Sequence, residues 1–285
     1  MPSSRTPNVV PSNKNGSKLT GSIRCVTTSK VPMTAPALGS CWQVEPAAAA
    51  KAFPWSGAAS CAGPHTAEVY YVGQADHDLV RRSRGDGDNA TIAANLMLAE
   101  VRRACGGFAS AYLGASWHQT RVTILADWIA APAEAGETAA QRDGFFGCAL
   151  AETTDAAGTR FASRSASLKA GATELAATCT LDSAYTPCDQ PHNAEFVGTY
   201  TLTPQGAAFD ATAVKNTVSR GCGDVVRTYL GLPAEAQRPD LSAGYVGPTS
   251  AETWLGSDQT FACYAVAGDR LRGTIRSLGT RPLPH

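Results

Sequence analysis

Two copies of one short motif hold the residues best suited to chemistry in this chain. Cys61-Ala-Gly-Pro64-His65-Thr-Ala-Glu68 is echoed 127 residues later by Cys188-Asp-Gln-Pro191-His192-Asn-Ala-Glu195. An imidazole beside a carboxylate is a pairing used for general-base work, and His, Glu and Cys are also zinc donors. The spacing works against both uses. On a strand, a separation of three puts two side chains on opposite faces, so His65 meets Glu68 only if the His sits in a turn before the strand. No third group follows at short range in both copies, and His77 and His118 have no counterparts in the second half. A pair repeated within one chain fits a structural role better than a catalytic one. The expected role of His65 and His192 is an imidazole hydrogen-bonded to backbone or to Glu, with no catalytic residue, metal or cofactor. The alternative is a secreted metal-dependent hydrolase using one His/Glu pair.

Other candidates are weaker. Ser40, Ser60 and Ser110 lie in no G-x-S-x-G elbow. Asp76, Asp78, Asp86 and Asp88 cluster without the spacing of an EF-hand loop. Gly106-Gly107 is in no phosphate-binding context. Trp117, Trp128, Tyr245 and Trp254 read as core aromatics before a ligand-facing patch.

Aligning the two motifs brings the flanking sequence into register. Cys105 with Tyr112 matches Cys222 with Tyr229, and Phe146-Gly-Cys148 matches Phe261-Ala-Cys263. Gly39-Ser40-Cys41 matches, more loosely, the segment ending at Cys179. Of nine cysteines, Cys41, Cys61, Cys105 and Cys148 form one set, Cys179, Cys188, Cys222 and Cys263 the other, and Cys25 is left unpaired. Even numbers at repeated spacings indicate disulfides and an oxidising compartment, and no C-x-x-C pair of the kind common in structural zinc sites occurs. Three pairings remain if both units bridge internally in the same way. Those joining 105 to 148 and 222 to 263 keep the best-matched separations, 43 and 41 residues, which favours 41–61 and 179–188 for the rest.

At 285 residues with 44% apolar content, the chain can build one or two domains with a normal core. Zero net charge argues against nucleic acid as a partner. Residues 1–35 are basic and rich in Ser, Thr, Pro and Asn, which reads as a disordered tail that allows peripheral contact with an anionic membrane surface. No stretch reads as a signal peptide or membrane span.

The elements that must position the motif are mixed. Pro36 to Cys61 reads as a strand pair around an Ala-rich loop from Glu45 to Pro54, and Ala67 to Val72 as a buried strand. Residues 74–90 read as an exposed loop. A helix is expected from Thr91 to Ala104, with Ile92, Leu96, Leu98 and Val101 inward. Cys105-Gly-Gly should stop or kink it before it resumes at Phe108 to Leu113. Arg121 to Ile129 is β-rich, Pro132 to Asp143 a loop, and Phe145 to Leu150 a closing strand. In the second half, Glu195 to Leu202 is a strand. Asp210 caps a helix from Ala211 to Arg220, and a second piece runs to Leu230. Gly244 to Val246 is short β, and Thr260 to Val266 is the closing strand.

This arrangement resembles the actinobacterial septum-formation domain family in two tandem copies. The likeness rests on Gly39-Ser40-Cys41, the two C-x-x-P-H-x-x-E elements, Cys105 with Tyr112, and Phe146-x-Cys148. It covers about residues 36–268. The first unit keeps Arg142 but lacks the Trp of the family's Trp-Gly-Arg cluster, and the second keeps Trp254-Leu-Gly256 without the Arg. The resemblance implies an extracytoplasmic protein tied to the division septum, with no established catalysis and an envelope protein or wall polymer as partner. The expected fold is α+β: two homologous disulfide-stapled units, each a small mixed or antiparallel sheet with one or two helices. The boundaries are a tail at 1–35, units at 36–152 and 176–270, a linker or first strand at 153–175, and a loose end at 271–285.

Overall fold

A computed structural model describes residues 36–45, 58–130, 144–203 and 206–285, without the side chains of 127–130. The tail with Cys25, most of the Ala-rich loop and all of the Pro132 to Asp143 loop lie outside the described residues, as does the Trp128 side chain.

The segment after each motif copy becomes the middle strand of a sheet. Strands β1 (Cys41–Trp42), β2 (Ala58–Ala59), β3 (Ala67–Gln74), β4 (Val122–Ala130) and β5 (Gly144–Glu152) pair in the order β2-β1-β3-β5-β4. Strands β6 (Cys179–Leu181), β7 (Ala184–Thr186), β8 (His192–Thr201), β9 (Leu241–Val246) and β10 (Thr260–Leu271) pair as β7-β6-β8-β10-β9, the same connectivity. Every pairing is antiparallel. Even the irregularities correspond. Glu68 faces Cys41 and Glu195 faces Cys179, and a bulge two residues beyond each Glu leaves Tyr70 or Val197 unpaired. A one-residue slip would turn each buried set outward, so this register is tightly specified.

One long helix covers each sheet. Helix α1 (His77–Ser83) leads into α2 (Asp88–Leu113) in the first unit; α3 (Ala211–Leu230) and the short α4 (Ala251–Trp254) belong to the second. The exposed loop expected at 74–90 is in part α1, because Asp76 caps it by accepting the Leu79 amide at 2.9 Å and Leu79 and Val80 turn inward. Helix α2 runs through Cys105-Gly-Gly without a stop. A helical Gly costs about 1 kcal/mol relative to Ala, and burial of Cys105, Ala109 and Leu113 offsets that. Helix α3 is likewise continuous from its Asp210 cap to Gly231.

Four disulfides staple this frame: Cys41–Cys61, Cys105–Cys148, Cys179–Cys188 and Cys222–Cys263. The second and fourth tie each long helix to β5 or β10 inside the core. They also set helix rotation. With Cys105 turned to the sheet, Val101, Met97 and Ala93 follow on the same face, and that is the buried stripe. Ile92 and Leu96 are one position off, about 100° around the helix, and are 55% and 38% exposed. The inward stripe expected from them is thus corrected: the cross-link and the small side chains of Ala93 and Ala104 decide which face packs.

The residues after each sheet are built in. The linker expected at 153–175 and the loose end expected at 271–285 each cross the end of their unit's long helix. Ala170 and Ser277 donate to the Tyr112 and Tyr229 carbonyls, both at 2.9 Å. Leu168 and Ile275 are fully buried, and Ala170 and Ser277 both hold positive φ, 55° and 54°. We call these segments straps.

The two units pack together. Gly256, with φ +73°, lies so close to α2 that a Cβ there would stand 2.3 Å from the Ala99 carbonyl oxygen. Arg102 of α2 donates to the Glu252 carbonyl, and His118 Nε2 meets Asp258 Oδ2 at 2.5 Å. Backbone bonds from Ala156 to Ser183 and from Tyr185 to Thr154 join the first strap to the β6–β7 hairpin. Among the described residues, no helix is long and apolar enough to cross a membrane.

Removing Cys105–Cys148 as a double alanine variant should cost about 4 kcal/mol and removing Cys179–Cys188 about 3 kcal/mol, because the loops close over 43 and 9 residues; denaturant unfolding of each variant checks the order. Burial pushes the Asp258 carboxyl up, but its bonds to His118 and Thr260 and the His118 charge outweigh this and hold it below its ordinary 3.8. A depressed folded pKa stabilises above the unfolded value, and the contribution is lost as pH falls through the folded one. Urea midpoints at about pH 5 and pH 3 should therefore converge in Asp258→Asn relative to the parent.

Candidate functional site

The motif folds back on itself before the strand begins. Pro64 restricts φ ahead of His65, whose backbone pairs with Arg164 of the first strap in both directions, at 2.8 and 2.9 Å. The ring turns back so that His65 Nδ1 lies 2.9 Å from the Gly63 carbonyl oxygen, and His192 Nδ1 lies 2.8 Å from that of Gln190 after Pro191. A carbonyl only accepts, so this bond assigns a proton to Nδ1. Both rings are fully buried, and neither Nε2 has a hydrogen-bond partner among the described residues.

The glutamates do the connecting. Glu68 Oε1 accepts from the Tyr112 hydroxyl of α2 and from Ser167 Oγ at 2.7 Å, while Oε2 accepts the Leu168 amide at 2.7 Å. Glu195 repeats this atom for atom. Its Oε1 accepts from the Tyr229 hydroxyl of α3 and from Thr274 Oγ1, and its Oε2 accepts the Ile275 amide at 2.8 Å. Each carboxylate thus joins the middle strand, the end of the long helix and the strap. Both are buried, and bonds to an ionised acceptor are roughly twice as strong as neutral ones. Burial, and then the bond to the carboxylate, pushes both phenols up.

The structure brings His65 and Glu68 together, with His65 ahead of β3, whereas His192 is the first residue of β8. Sγ of Cys41, a ring nitrogen of His65 and a carboxylate oxygen of Glu68 lie within 4.8 Å of one another, as do ligand atoms of Cys179, Cys188 and Glu195. The arrangement does not suit a metal. The sulfurs are committed to disulfides and offer no thiolate, and both oxygens of each Glu already accept structural donors. The second group also leaves out His192. No hydrogen bond joins either His to its Glu, so neither pair is set up as an oriented base.

The remaining candidates are used locally. Asp78 pairs with Arg81 at 3.1 Å, Ser110 Oγ accepts the Trp117 amide, and Ser40 Oγ accepts from the Trp42 indole. Trp254 is buried and donates to the Ala207 carbonyl; Tyr245 sits edge-on to Phe261. Sequence reasoning missed the strap donors. Their only signal is a hydroxyl residue, a branched apolar residue and a cation in series, Ser167-Leu168-Lys169 and Thr274-Ile275-Arg276.

Glu68→Gln and Glu195→Gln each place an NH2 group against a donor. Each should cost roughly 1–3 kcal/mol, by similar amounts in the two units, as read from denaturant unfolding. Combined with Tyr112→Phe or Tyr229→Phe, each Gln change should show a sub-additive loss.

Residues 37–263 match the family model described as septum formation. No curated protein and no solved structure matches the chain. The match spans the first sheet and its carboxylate hub, both long helices, all four disulfides and Glu195, and ends at Cys263 within β10, before Thr274 and Ile275. The chain belongs to the septum-formation family, and its role is tied to septum formation or cell division.

Proposed function

We propose that this protein is a non-enzymatic binding or scaffold module of the cell envelope, working outside the cytoplasm at the forming septum. One observation carries the reading: the two residue pairs best suited to chemistry are buried and spent on holding their own units together. A general base needs access to a substrate proton. Fully buried rings, with carboxylates engaged by three donors each, provide none.

The disulfides support the location. Four bonds in one chain are the habit of oxidising compartments, and the loop-closing Cys105–Cys148 and Cys222–Cys263 pairs sit in the core, out of reach of reductants. Two stapled units joined by backbone bonds make a rigid surface, which suits an envelope protein or wall polymer as the partner.

Protein taken from the native envelope fraction should weigh less before reduction than after it by two hydrogens for each of the four bonds. It should carry no stoichiometric metal. Free thiols together with bound zinc would sink the reading. In cells, His65→Asn and His192→Asn should impair division only as far as they lower the amount of folded protein; a variant that keeps its fold and abundance yet loses function would point to catalysis instead.

A further inference from the structure

A cleft of about 730 Å³ lies between the two units. Its walls differ in kind. From β10 it takes Thr260, Ala262 and Tyr264, alternate residues and hence one face of a sheet. From β4 it takes Val122 through Ala126, five residues in succession. A groove that touches consecutive residues follows the edge of a strand, where the backbone groups are. Strand β4 is the outermost of its sheet and has β5 as its strand partner. The Arg121 amide, bonded to the Leu175 carbonyl at 2.6 Å, closes the start of that outer edge. From Val122 to Ala126 it has no further backbone partner among the described residues.

The helical wall is held open by missing side chains. Gly106 and Gly107 of α2 both line the cleft. A Cβ on Gly106 would meet nothing nearer than Trp117 Nε1 at 4.0 Å, and one on Gly107 nothing within 4 Å. Neither has positive φ, so neither packing nor backbone geometry calls for glycine here. Leucine at either place would fill the groove. The charged lining is mainly cationic: the exposed Arg103 stands beside Arg102, which is bonded to Glu252, and His118, which is paired to Asp258.

We propose that this cleft captures an extended segment of a partner protein, which adds to β4 as a sixth strand and carries an acidic side chain to Arg103. Unpaired backbone along a strand edge is satisfied by another strand, which supplies affinity through main-chain bonds, while alternate side chains supply specificity. One row of ligand side chains would face Gly106, Gly107 and Trp117, and the other the Thr260–Tyr264 face. The proposal rests on the binding-module reading and names its partner as a peptide strand.

The probe is a phage-displayed library of linear nonapeptides, selected on the disulfide-intact full chain and counter-selected on Gly106→Leu. Enriched sequences should alternate apolar residues with Asp or Glu. As synthetic peptides they should bind about tenfold more weakly to Gly106→Leu and to Arg103→Glu, and lose binding when alternate amides are N-methylated. They should slow amide exchange at Val122 to Ala126 and be recovered intact. Arg103 is exposed on α2, so Arg103→Glu decides the question should Gly106→Leu fail to fold. No enrichment, or binding that neither variant weakens and that leaves β4 exchange unchanged, overturns the proposal. Binding of N-acetylglucosamine oligomers in place of peptides also overturns it while leaving the binding-module reading intact. Cleavage of the peptides would sink that reading instead.

Discussion

A carboxylate buried at the end of a long helix is the point on which each unit depends. Desolvating an ionised Glu is costly unless its oxygens find donors. Glu68 and Glu195 find them on three separate pieces of chain: a tyrosine on the helix, a hydroxyl residue on the strap and the strap's own backbone. The cost and the satisfaction come together, so strand, helix and strap must assemble at once or not at all. This explains why a strap with little apolar content, Ser167-Leu168-Lys169 or Thr274-Ile275-Arg276, holds a fixed path with a non-glycine residue at positive φ.

The disulfides act on a different degree of freedom. A long helix lying on a sheet can rotate about its axis when its faces are similarly apolar, and α2 offers Ile92 and Leu96 on one face against Ala93 and Met97 on the next. The bond from Cys105 to Cys148 removes that choice. The carboxylate hub then sets the far end of the helix through Tyr112, seven residues on. Rotation and end position are fixed by two unlike interactions, one covalent and one electrostatic.

The two units share a topology but not every surface feature. His118 and Asp258 belong to different units and meet only because the units pack together. Gly106-Gly107 on one side and the Thr260–Tyr264 face on the other likewise make a cleft that neither unit has alone.

Much of the fold is legible in the residues themselves. The repeat of Cys, Pro, His and Glu at kept spacings marks two units of one plan, and largely unbroken apolar runs at Ala67 to Val72 and Phe145 to Leu150 mark the inner strands of the first. Asp210 announces a helix start through local hydrogen bonding alone. These features rest on interactions within a few residues, or on cysteine spacing, and so they leave a trace in sequence. What tertiary structure alone decided involves distant groups. The inward face of α2 depends on Cys148, 43 residues away from its partner. The use of Glu68 depends on Ser167 and Leu168, about a hundred positions further on. The ordered course of residues 271–285 depends on a glutamate some eighty positions earlier. A carboxylate reads the same in sequence whether it will face a substrate, a metal or a tyrosine; only the folded chain brings the donors that commit it to one of these.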